Sequence, residues 1–251
     1  MAGPRWTVES LRLSFFTMEP MVGGPRTWWQ EIVGEEPERR TALPRQLSWQ
    51  DAGSFSIEEI HDAELTLHLE PGRVDWRLGP SASRQLSLAT GETAIGHLDK
   101  APSTFIHQFS KWLSECPPVK RLAFGSVLSY PVASREEGYQ TFSSLLPINL
   151  GGDVSDFLYR INRRRENIGP GSQYLVNRLS TWAVVQVQEI ALSLPATVPQ
   201  ATIQGTACRL ELDINTAPER NPPSIPNEDL LPLLETFLEL GKEIAIRGDI
   251  P

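Results

Sequence analysis

The sequence predicts an α+β fold: two βαβββα halves, residues 1–117 and 118–251, with mainly antiparallel sheets and helices on one face. Three observations predict it. Segments with apolar residues at every second position alternate with segments at helical spacing. Consecutive strand segments are joined by short connections, which gives hairpins and antiparallel pairing. The order of patterns before Pro117 and Pro118 recurs after them, so the halves are read as one compact, pseudo-duplicated domain.

"WTVESLRLSFF" (6–16) alternates, with Val8, Ser10 and Arg12 set against Glu9, Leu11, Leu13 and Phe15, as a half-buried strand does. In "GGPRTWWQEIVG", Pro25 suits a first helical turn, Trp28/Ile32 and Trp29/Val33 are i,i+4 pairs, and Gly34 ends the helix. "EEPERRTALPRQ" reads as a loop. "FSIEEIHDAELTLHLE" (55–70) ends in a strand with Ala63, Leu65, Leu67 and Leu69 inward, and Pro71-Gly72 turns it into "RVDWRLG". "RQLSLAT" (84–90) is the third strand of this half. "STFIHQFSKWLSECPP" is a helix with Phe105, Phe109, Trp112 and Leu113 on one side, stopped by two prolines.

The second half opens with the strand "VKRLAFGSVLSYPV" (119–132). Ser134 and Glu137 then have capping-box spacing ahead of a helix carrying Tyr139, Phe142, Leu145 and Leu146. "VSDFLYRIN" (154–162), "YLVNRLSTWAVVQVQEIALSL" (174–194) and "TACRLELDIN" (206–215) are three strands. The final helix begins at "PNEDLLP", where Asn227 is expected to cap and Glu228 and Asp229 suit the first turn.

This order and its wording resemble a sporadically distributed prokaryotic family of uncharacterised proteins of about this length. "KRLAFGSVLSYPV" is similar to the family's mid-chain strand, "CRLELDIN" to its late strand, and "LLPLLETFLELGKEIAI" to its closing helix. The likeness covers the second half well and the first mainly by element order. It departs at "LSYPV", where the family tends to a polar, asparagine-bearing end. The resemblance implies the fold and no activity. The family's patchy distribution implies an accessory role in prokaryotic, antiviral or CRISPR-type, defence.

Composition narrows the function. The net charge is −8, which argues against a dedicated nucleic-acid binder because phosphate attraction works through the summed field. No apolar run approaches the length of a membrane span. The N-terminus lacks the pattern of a signal peptide. Two isolated cysteines, Cys116 and Cys208, suit buried thiols in a reducing cytoplasm.

Chemistry-bearing patterns are sparse. His61, His68, His97 and His107 have no metal-ligand spacing, and no nucleotide-loop or nucleophile-elbow motif occurs, so no cofactor and no catalytic residue is expected. Glu211 and Asp213 share one face of "CRLELDIN"; such a pair would suit a divalent metal, or would pair with arginines of the same and neighbouring strands. "VGGPRTW" presents Arg26 near a helix start, where an anion or a plain strand-to-helix turn fits.

The remaining signal is basic. Residues 117–178 carry 8 bases and 5 acids, whereas 1–116 carry 11 bases and 16 acids. "YRINRRREN" (159–167) lies in this island. Tyr159 and Ile161 are expected in the core and Arg160 on the open sheet face, with Arg163, Arg164 and Arg165 at the strand end and Arg178 across the hairpin. These five arginines are the candidate partner-binding residues. The expected function is a non-enzymatic protein-interaction or accessory protein; the alternative is a single-stranded nucleic-acid-binding accessory that uses the 160–165 cluster.

Overall fold

The computed structural model describes residues 4–20, 27–43, 48–81, 94–150, 154–191, 200–219 and 222–249. Its strands are β1 (Thr7–Thr17), β2 (Arg39–Leu43), β3 (Ser48–Ile57), β4 (Ile60–Glu70), β5 (Arg73–Pro80), β6 (Gly96–His97), β7 (Val119–Val132), β8 (Leu158–Asn162), β9 (Arg165–Ile168), β10 (Tyr174–Ala191) and β11 (Gln200–Thr216). Its helices are α1 (Thr27–Val33), α2 (Ala101–Gln108), α3 (Ser110–Glu115), α4 (Arg135–Ser143) and α5 (Asn227–Arg247). The class is therefore α+β.

All the strands join one sheet in the order β2-β3-β4-β5-β1-β7-β11-β10-β8, with β6 beside β1 and β9 beside β10. Each pairing among the described residues is antiparallel. Val74, Trp76 and Leu78 of β5, Leu122 and Phe124 of β7 and Leu210, Leu212 and Ile214 of β11 all enter one buried cluster. The helices cover that side. Trp112 of α3 packs edge-on against Phe15 and Trp76, the Gly241 turn of α5 approaches Leu212 and Phe124, and Gly138 of α4 lies against Val184 and Cys208. The indole of Trp6 donates to the Ala245 carbonyl of α5 at 2.8 Å, tying the sheet to the last helix.

Several boundaries differ from the sequence expectation. In β1 the register slips between Val8 and Ser10, and both Val8 and Leu11 are buried, three positions apart. A bulge at Glu9 adds one residue and reverses the alternation there, so Val8 faces the core with Leu11. The expected loop at 35–46 contains β2, which pairs with β3 and carries ion pairs from Arg40 to Asp51 of β3 and from Arg39 to Glu64 of β4. The expected strand 55–70 is the end of β3, a tight turn with Glu58 at φ 33°, and β4. That turn uses no glycine or proline, so composition does not mark it. The strand expected at 84–90 and the Arg26 turn lie outside the described residues. The helix expected at 103–116 is two helices meeting at Phe109.

At the start of α5, Pro226 occupies the N-cap position. The Asn227 side chain instead donates to the carbonyls of Ser114 and Cys116, so it fastens α5 to the end of α3. Half of the expected α4 capping box forms: the Glu137 amide donates to the N-cap Ser134 Oγ, while the Glu137 carboxylate accepts from the amide of Ala133, one residue before the cap, at 2.7 Å. Cys116 and Cys208 are free and buried, and burial pushes both thiols up to about 12.

The candidate interface: an open sheet face and an arginine clamp

The face of the sheet turned away from the helices is polar, and it is built by strand register. One cross-strand row runs Thr66, Arg77, Arg12, Gly125, Asp213, Leu179, Asn162. The next runs Ser10, Val127, Glu211, Thr181, Arg160, with the paired Glu64 and Gly79 of β4 and β5 lying beyond Ser10. Apart from Asn162, the residues of these two rows line a concavity of about 710 Å³ that spans β4, β5, β1, β7, β11, β10 and β8.

Most charges on this face are already paired. Arg12 reaches across the sheet to Asp213 at 3.1 Å. It passes over Gly125, where a Cβ would stand 3.2 Å from Arg12 Nη2 and 3.3 Å from Nε. A glycine in a central strand leaves room for such a crossing. Arg209 lies 3.4 Å from Glu211. Asp75 is buried between Arg73 at 2.9 Å and Arg77 at 2.8 Å. The Phe16 ring has the Arg73 guanidinium 5.3 Å and the Arg121 guanidinium 4.8 Å from its centroid, a pair of cation–π contacts set by strand order.

Glu211 and Asp213 do share this face, and both have arginine neighbours, Arg209 and Arg12. Asp213 also accepts from Asn215 at 2.7 Å. Among the described residues no three His, Cys, Asp or Glu side chains are grouped to hold a metal ion.

The five candidate arginines separate by strand parity. Arg160 projects from the open face opposite Thr181. Arg164 is on the same side and donates to the side-chain oxygen of Asn177 at 3.1 Å. Arg163 and Arg165 turn the other way, beneath the end of α5. Arg163 forms a two-pronged pair with Asp249 at 2.8 and 2.9 Å, and the Tyr159 hydroxyl donates to the same carboxylate at 2.6 Å. Arg165 lies 3.0 Å from Glu243.

Arg178 departs furthest from expectation. It belongs to the helix-facing parity of β10 with Trp182, and its side chain is 0% exposed. Its partner is Glu243 at 3.5 Å, while Nε and Nη1 are buried without a hydrogen bond. Burial lowers its pKa, Arg165 lowers it further, and Glu243 opposes both. Arg163, Arg165 and Arg178 thus form a clamp with Glu243 and Asp249, acids more than sixty residues away in sequence. No signal in "YRINRRREN" identifies those partners.

The clamp has a pH consequence. Hydrogen bonds from Arg163 hold the Asp249 carboxyl below its ordinary 3.8, against burial, with help from Tyr159. For Asp75, burial pushes up, but Ser14, Arg77 and Arg73 together outweigh it and the net direction is also down. A carboxylate depressed in the folded state lends stability above its unfolded pKa and loses it as pH falls through the folded one. The acid limb of stability should therefore lie below about pH 4. Asp75→Asn and Asp249→Asn should each flatten that limb in a denaturation series from pH 6 to pH 2. An unchanged acid limb in both variants would contradict the assignment.

No helix among the described residues is long and apolar enough to cross a membrane. No family model and no curated protein matches the chain. One solved structure, the di-domain ARO/CYC BexL from the BE-7585A biosynthetic pathway, is 12% identical over 85% of this chain and 80% of that chain, with a TM-score of 0.15. At that score the likeness carries no argument.

Proposed function

We propose that this protein is a non-enzymatic interaction protein that receives a segment of a protein partner on its open sheet face. The observation that carries the reading is Arg160. It is exposed at the rim of the concavity and, among the described residues, has no hydrogen-bond or ion-pair partner, on a face where Arg12, Arg73, Arg77 and Arg209 are all engaged. A guanidinium held there by a strand, with Leu158 and Thr181 beside it, suits a carboxylate carried by a partner. Arg163, Arg165 and Arg178 serve the clamp and act on the partner only through the position of β8.

The nucleic-acid alternative loses support from the same geometry. A phosphate backbone calls for several unengaged cations along a track. Here Arg163 and Arg165 already face carboxylates.

The reading includes the pseudo-duplication. With the short strands β2, β6 and β9 set aside, the order β1, α1, β3, β4, β5, α2–α3 is similar to β7, α4, β8, β10, β11, α5, and the sheet order from β3 to β8 is symmetric about the β1–β7 pair. It also includes the defence-associated accessory role that the family resemblance implies, and the reducing cytoplasm that two free, buried cysteines suit.

The test is recovery of partners from host cells with tagged protein, identified by mass spectrometry. A partner held in near-equal amount by the parent and by Lys111→Glu, on the helix side, should be lost from Arg160→Glu. Equal recovery by all three, or a salt-dependent affinity for single-stranded oligonucleotides with no protein partner, defeats the proposal.

A further inference from the structure

We infer that β8, which among the described residues has no strand on its outer side, takes an extended strand from a partner, with a carboxylate of that strand on Arg160. This deepens the reading of the open face as a partner surface and rests on it.

The backbone carries the inference first. β8 ends the sheet order, with β10 on its inner side. The Arg163 amide donates to the Arg178 carbonyl at 3.1 Å. In an antiparallel ladder this makes the pairs two and four residues back, Ile161 with Ser180 and Tyr159 with Trp182, the inward-bonding ones. Leu158, Arg160 and Asn162 then direct their amides and carbonyls away from β10. No backbone hydrogen bond from these three reaches another described residue on that side. A row of unfilled donors and acceptors is a template for one more strand.

The side chains define the occupant. Leu158 is 70% exposed, the most exposed large hydrophobic residue among those described. Tyr159 and Ile161, on the helix-facing parity, are half-buried. An added strand would set apolar residues beside Tyr159 and Ile161 and the alternate residue beside Arg160. Among the described residues Arg160 has no carboxylate partner, and its neighbour on the same face, Arg164, has only the neutral Asn177. The residue that fits is acidic.

A second copy of this chain fits poorly. Two β8 edges paired antiparallel about their centre would set Arg160 opposite Arg160, and like charges directly opposite are destabilising. The complementary occupant is an extended, alternating apolar–acidic segment of a different protein.

The experiment uses a fluorescein-labelled peptide of alternating valine and glutamate, its valine–lysine counterpart as control, and the full chain. Fluorescence anisotropy should show saturable binding of the glutamate peptide, at least tenfold tighter than the lysine peptide. Arg160→Glu should weaken the glutamate peptide at least tenfold and improve the lysine peptide. Leu158→Pro removes an outward amide while keeping Arg160, and should also abolish binding; its circular dichroism and melting temperature check folding. Equal binding of the two peptides, or none, overturns the inference. Binding that is lost in Arg160→Glu but kept in folded Leu158→Pro overturns strand addition and leaves the open-face reading standing. Binding unchanged in both variants removes both.

Discussion

Replacing Gly248 by alanine should destabilise this protein by about 3 kcal/mol or more and loosen the clamp at the same time. Gly248 follows the last turn of α5 with φ 81° and ψ −155°, a region open essentially to glycine alone. The turn runs against the end of α4: a Cβ there would stand 1.7 Å from the Leu145 carbonyl oxygen and 2.5 Å from its carbon. The Asp249 amide donates to that same carbonyl at 3.0 Å, which aims the Asp249 side chain at Arg163 and Tyr159. Backbone cannot yield as a flexible side chain does, so the turn must shift, and Asp249 with it. Gly34→Ala is the control: φ is 85° there and nothing lies within 4 Å of the added atom. Urea denaturation should give Gly34→Ala a loss of about 1 kcal/mol, the backbone cost alone. Equal losses in the two variants would show that the Leu145 contact does not matter.

Removing the Glu243 carboxylate should cost about 3 kcal/mol, while removing the arginine it faces should cost little. Glu243 of α5 lies within reach of Arg165 at 3.0 Å, Arg247 at 3.4 Å and buried Arg178 at 3.5 Å. Glu243→Ala leaves a fully buried guanidinium without its carboxylate. Arg178→Met deletes a cation with two unbonded buried donors and leaves Glu243 with Arg165 and Arg247. Its stability should match or exceed the parent's, because a buried ion pair often gains nothing over apolar packing of similar volume. A double variant should recover most of what Glu243→Ala loses. Chemical denaturation of the three variants measures this. A loss in Arg178→Met as large as that in Glu243→Ala would mean that the guanidinium itself holds the fold.

How much of this was legible follows the range of the forces involved. β7 was expected at 119–132 and is found there, and β10, β11 and α5 lie close to where periodicity puts them. Those elements have long apolar alternation or a 3.6-residue stripe, which are local properties of the chain. The Glu9 bulge, the Glu58 turn and the break at Phe109 were not legible. Each involves a residue type that composition does not reserve for that role, and each is set by what the neighbouring strand or helix requires.

The candidate interface divides in the same way. Alternation alone placed Tyr159 and Ile161 away from Arg160, and Glu211 and Asp213 together on one face. It did not reveal that Arg178 is buried, nor that Arg163 and Arg165 are held by Asp249 and Glu243. By itself, then, the sequence determined the α+β class, the strands β7, β8, β10 and β11 of the second half without β9, and the parity of side chains within strands that carry no bulge, because these depend on repeats a few residues long. The tertiary structure decided which arginines are engaged and which one is left at an open edge. That outcome depends on a carboxylate brought from the far end of the chain to within hydrogen-bond distance, and charge attraction of that kind leaves no spacing rule in the sequence.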